Sequence, residues 1–191
     1  MREHWNKQAE GSKWRFLLVL AFVAGIAAMM GLGNIFPFRT NVFSPDVCEM
    51  FLTIELSYMQ LFVQCFFKYV GMFAVLLMLF HTGLGKVAFL LCVMWQFFSL
   101  GMTMQLLITE YGMWGLGLFI VGCFPQLYIY AAAYMLLYKT GAKISRGIRV
   151  TVANYFFVFM VVIIGVVFES YVNPHLVKIF LKIFMEAFYN M

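Results

Sequence analysis

The sequence predicts an all-α protein: a polytopic transmembrane helix bundle of five spans (N-in, C-out), with an outer interfacial helix and a C-terminal amphipathic helix. Three observations predict it. Hydrophobic residues make up 64% of the 191 and charged residues 11%, whereas soluble domains have roughly 45–50% and 25%. The apolar residues gather into five runs, and only one of these contains a charge, Lys68. The lysines and arginines between the runs fall unevenly on alternate sides. This composition excludes a soluble enzyme, a nucleic-acid module, a disulfide scaffold and a disordered tail, and the chain reads as one integral membrane domain over residues 1–191.

Each span follows from length. The hydrocarbon core is about 30 Å thick and a helix rises about 1.5 Å per residue, so a span needs about 20 apolar residues. The runs at 16–33, 61–80, 87–108, 111–138 and 150–168 meet that need. The first follows a basic start, Arg2, Lys7, Lys13 and Arg15. A cleaved signal peptide would begin the same way, but four more spans and a long apolar run favour an uncleaved helix. Its Ala21, Gly25 and Ala28 line one face, and small residues at that spacing allow close helix contact within the chain or with another protein.

The segment at about 45–60 has an interfacial pattern. Ser44-Pro45-Asp46 reads as a helix start, with an N-cap serine, a proline in the first position and an acid in the first turn. Val47, Met50, Phe51, Ile54, Tyr58 and Leu61 then recur at helical spacing. The second span carries Lys68, costly in lipid and a functional candidate for that reason. It is expected to pair with Glu169 or Glu110; snorkelling to the outer surface and a role in transport are the alternatives.

The fourth run of 28 uncharged residues would extend about 42 Å if straight. Pro125 removes a backbone bond in its middle, and Gln126 can satisfy the freed carbonyl or bond a neighbouring helix. Such a kink either fits the bundle or acts as a hinge lining a cavity. After the fifth run, Asn173-Pro174 is expected to break the helix and start another at about 174–190. There His175, Lys178, Lys182 and Glu186 form a polar stripe suited to an in-plane helix; a sixth span would have to bury two lysines and a glutamate.

Orientation comes from the Lys/Arg count. With the N-terminus inside, nine positive residues are cytoplasmic, three are outside, and Lys68 makes thirteen. The basic loop at 139–149 suits anionic membrane lipids or an acidic cytoplasmic partner. Catalytic and metal patterns are missing: there is no H-E-x-x-H, no G-x-S-x-G, no pair of membrane aspartates and no C-x-x-C among the four cysteines. No cofactor is expected. Gly83-Leu84-Gly85-Lys86 reads as a tight cytoplasmic turn.

Several pieces, taken in order, resemble the stage II sporulation protein M family. They are Phe67-Lys68-Tyr69-Val70-Gly71-Met72 opening the second span, Gly101 late in the third, Phe124-Pro125-Gln126 within the fourth, and Val167-Phe168-Glu169-Ser170-Tyr171-Val172-Asn173-Pro174 closing the fifth. The segment at 34–60 is shorter than the family pattern. The resemblance implies a non-enzymatic membrane scaffold in the mother-cell membrane of a spore-forming bacterium. It implies that the scaffold recruits stage II sporulation proteins D and P, two cell-wall hydrolases, to thin septal peptidoglycan during engulfment. It marks Lys68, Tyr69, Gly71, Pro125, Gln126, Glu169 and Pro174 as structural or docking positions, beside the Ala21, Gly25 and Ala28 face. A small-molecule or lipid transporter is the rival reading, and a homo-oligomer the third. A transporter would want a polar path, exchanging ionisable groups or an internal repeat.

Overall fold

The computed structural model describes the backbone of residues 2–35, 45–55, 57–123 and 126–189, and the side chains of 14–33, 49–55, 57–123 and 126–187. The described residues form helices and short connections, with no strand among them. In chain order these are α1 (Arg2–Ile35), α2 (Pro45–Thr53), α3 (Tyr58–His81), α4 (Gly85–Tyr111), α5 (Met113–Cys123), α6 (Gln126–Ile144), α7 (Val152–Val167), a π turn (Phe168–Val172) and α8 (Asn173–Tyr189). Four helical stretches are long and apolar enough to cross a membrane, and a fifth is added if α5 and α6 make one span. The chain is a multi-pass membrane protein on that ground.

Two compact units divide it. Unit 1 comprises Met1–Thr40 and Leu90–Leu116; unit 2 comprises Asn41–Phe89 and Gly117–Met191. In unit 1, α1 packs on α4 through glycines. A Cβ on Gly25 would strike the Phe98 carbonyl oxygen and lie 3.1 Å from the Met102 nitrogen. A Cβ on Gly101 would strike the Phe22 carbonyl oxygen and lie 3.2 Å from the Ile26 nitrogen. Each glycine therefore admits the other helix's backbone, the device small residues provide where lipid removes the hydrophobic drive between helices.

The core of unit 2 is built from helical stripes. Phe73, Leu76, Leu77 and Phe80 on α3 are buried, as are Ala133 and Leu137 on α6 and Val158, Val162 and Val166 on α7. The spacings of three and four put each set on one face. The Phe80 ring fills the space where a Cβ on Gly85 or Gly141 would stand.

Three expected boundaries shift. The outer helix was expected over 45–60, but α2 ends at Thr53, whose hydroxyl donates to the carbonyls of Glu49 and Met50, both at 3.0 Å. The run at 111–138 is divided into α5 and α6, inclined by 49° to one another, and α6 continues to Ile144. Pro125 lies outside the described residues.

The third shift is at Asn173-Pro174, expected to break the helix. Instead Val152–Ala187 is one helical stretch of 36 residues. The reason is the π turn. The Asn173 N–H donates to the Phe168 carbonyl five residues back, a wider closure that inserts one residue and makes room where a proline ring would crowd the preceding turn. The stretch would extend about 54 Å, more than one crossing needs.

Candidate functional site

Two phenol hydroxyls inside the spans of unit 2 converge on one carboxylate. Glu169 stands in the π turn, and two hydroxyls from two other helices donate to it. Tyr130 Oη on α6 donates to Glu169 Oε2 at 2.6 Å, and Tyr69 Oη on α3 donates to Oε1 at 3.2 Å. The two phenol rings stack with centroids 4.3 Å apart and planes 23° apart. Gly165, one helical turn before Glu169, lets the Tyr130 ring approach: a Cβ there would lie 2.9 Å from Tyr130 Cε1.

Next to Glu169, the fully buried Ser170 returns its hydroxyl to the Val166 carbonyl at 2.8 Å. Cys65, one turn before Tyr69 on α3, is buried as a free thiol. Buried polar groups in an apolar medium are costly unless paired. Here the carboxylate accepts two hydrogen bonds from α3 and α6, and the three elements are fastened at about mid-span depth: Tyr69 lies 11 residues into α3, about 16 Å along its axis.

Lys68 is not part of this lock. Its expected ion pair with Glu169 is replaced: the side chain is exposed, and its ammonium lies 4.9 Å from the Tyr69 ring centroid, within cation–π range. The reason is direction. Consecutive residues on a helix point about 100° apart, so when Tyr69 faces Glu169, Lys68 turns toward the exposed side of α3.

A second aromatic set ties the start of α3 to the π turn and α8. Tyr58 stacks on Tyr171 at 5.9 Å and shares a hydrogen bond of 3.2 Å with His175 Nδ1. On α8, Lys178 Nζ donates to the Ile54 carbonyl at 2.9 Å, just past α2.

The remaining predicted residues separate. Gln126 Nε2 donates to the Gly122 carbonyl at 2.9 Å, while its Oε1 is buried with no donor among the described residues. Gly71 is exposed, with nothing within 4 Å of where a Cβ would stand. Pro174 is the second residue of α8, one residue past the π turn, and is buried. In unit 1, Gly25 is buried against α4, Ala21 is buried and Ala28 is half-buried. The small-residue face of α1 is therefore occupied within the chain, which removes Gly25 from the surfaces open to a partner.

Tyr130, Cys65 and Ser170 were missed in the sequence. Tyr130 had a usable signal: a phenol in mid-span needs a partner for its hydroxyl, and it follows Gln126 by one turn. The described residues contain no group of three His, Cys, Asp or Glu side chains able to hold a metal. Comparison with family models, curated proteins and solved structures finds no match to this chain.

Proposed function

We propose that this chain is a non-enzymatic membrane scaffold that gathers peptidoglycan hydrolases, the stage II sporulation proteins D and P, at the sporulation septum. The observation that carries the reading is the Tyr69–Tyr130–Glu169 lock. Two of the motif pieces that define the resemblance, one around Tyr69 and one around Glu169, meet across 100 residues of sequence. Their polar groups are spent on one another, which suits a part that holds shape rather than one that turns over substrate. The proposed topology is five spans with the N-terminus in the cytoplasm. It is supported by the charge count and by the Ser145 hydroxyl on the Phe80 carbonyl, which joins the two turns that topology assigns to the cytoplasmic side.

With Gly25 covered, docking of the hydrolases' membrane anchors falls to faces left open, Gly71 on α3 and Gly122 on α5, where an added Cβ would meet nothing. The test is a mild-detergent pull-down of the tagged full chain from sporulating cells. Recovery of both hydrolases, reduced by Gly71→Leu or Gly122→Leu at unchanged protein level, supports the scaffold. An intact, functional chain that brings down neither overturns it.

The inclined α5–α6 pair and the Gln126 Oε1, buried with no donor among the described residues, favour transport as the second reading. Labelling of Gln126→Cys by a membrane-impermeant thiol reagent, in a variant without the native cysteines, would reveal a water-filled path and move the choice to transport.

A further inference from the structure

Two turns meet at one end of unit 2. Ser145 Oγ donates to the Phe80 carbonyl at 3.4 Å, and the Phe80 ring packs on both Gly85 and Gly141. The connection from α3 to α4 is thereby held against the connection from α6 to α7. The first carries His81 and Lys86; the second carries Lys139, Lys143, Arg146 and Arg149. All six side chains are exposed, and neither 81–89 nor 138–152 contains an aspartate or glutamate.

The backbone leaves the lysines and arginines of the second turn free of capping duty. Gly147, at φ +69°, donates its N–H to the Ile144 carbonyl at 2.9 Å, and Ile148 donates to the Lys143 carbonyl at 3.0 Å. This closure satisfies the last carbonyls of α6 without a side chain. On the other turn, the Thr82 hydroxyl donates to the Leu79 carbonyl at 2.8 Å and His81 Nδ1 donates to the Leu77 carbonyl at 3.0 Å.

Aliphatic side chains stand among the cations. Leu84 is 63% exposed, Val87 59%, Ile148 52% and Val152 80%. An acidic soluble protein would match the charges and leave much of this aliphatic surface in water. The headgroup layer matches both, with aliphatic tips in the acyl region and ammonium and guanidinium groups at phosphate depth.

We infer that the paired turns form one binding site for anionic phospholipid headgroups, to which Lys86 and the 139–149 cations both contribute. The site holds whether or not the chain is a scaffold. The experiment titrates the purified full chain, in mild detergent, with phosphatidylglycerol and separately with phosphatidylcholine, reading bound lipid by native mass spectrometry. Phosphatidylglycerol is expected to bind in preference and to weaken with salt. Lys86→Gln is expected to lower its affinity about fivefold and the Arg146→Gln/Arg149→Gln pair about 25-fold, at about fivefold per cation. Lys86→Arg should keep wild-type affinity, and so should Lys178→Gln, whose cation lies toward the opposite end of α3.

Equal binding of the two lipids overturns the proposal. A neutral Lys86→Gln beside a weakened loop variant overturns the shared site. Variants that keep phosphatidylglycerol but lose an acidic cytoplasmic protein make the patch a protein interface. Lys86→Gln keeps the test decisive if the loop variant fails to fold.

Discussion

In unit 1, α1 and α4 meet backbone on backbone, with Gly25 under the Phe98 carbonyl and Gly101 under the Phe22 carbonyl. In unit 2, α3, α6 and the π turn meet through long side chains, two stacked phenols and a carboxylate. The first contact needs the absence of side chains and tolerates no replacement. The second needs specific polar tips and tolerates changes that keep an acceptor. In lipid, where apolar burial drives little association between helices, these are two separate ways to hold them.

The sharpest break in that comparison is Gly25→Leu. A leucine there meets backbone, which cannot rotate away, so the crossing must open. The expected cost is about 4 kcal/mol or more, read as reversible unfolding in mixed micelles. Gly33→Leu, where an added Cβ would meet nothing, is expected to be near neutral. Equal costs for the two would show that the α1–α4 crossing does not hold unit 1.

Glu169→Leu comes next. It leaves two phenol hydroxyls in an apolar interior without their acceptor, at about 1–3 kcal/mol each. A loss of about 3 kcal/mol is expected in the same unfolding measurement, with Glu169→Gln losing about half as much because the amide oxygen still accepts. If Gln is as damaging as Leu, charge rather than acceptor geometry holds the lock.

These two sites differ in how far the sequence disclosed them. Gly25 and its small neighbours could be picked out because a crossing of this kind depends on residue size and spacing alone. Tyr69 and Glu169 could be picked out singly. Their meeting could not, because it depends on a π turn that adds one residue to the helix, and no composition signal marks that insertion. The same turn explains why Pro174 misled: proline predicts a break when the preceding turn is α-helical, and here it is wider. Lys68 misled because charge complementarity named a partner for it, while the helix face decided otherwise. The apolar runs fared best, since length and hydropathy are the properties a membrane selects.

Within the lock, the two phenols should differ. Tyr130→Phe removes the 2.6 Å bond and is expected to cost about 1.5 kcal/mol; Tyr69→Phe removes the 3.2 Å bond and should cost about 0.5 kcal/mol. A double-mutant cycle of each with Glu169→Leu should return coupling in the same order. Equal couplings would mean that stacking, which both variants preserve, rather than the hydrogen bonds sets the geometry.

The smallest effect belongs to Lys178→Gln. Its ammonium donates to the Ile54 carbonyl and lies 6.0 Å from the Phe51 ring centroid, so it ties α8 to α2. Solvent and headgroups compete for that ammonium, and the glutamine amide can still donate. The expected global loss is about 0.5 kcal/mol. The local consequence is larger: freed from α8, α2 should exchange its amide hydrogens faster, while the core amides of α3 and α7 keep their protection. If α7 loses protection as well, the clamp on α2 and the Glu169 lock act as one cooperative element, and the carboxylate holds more of unit 2 than the two helices it touches.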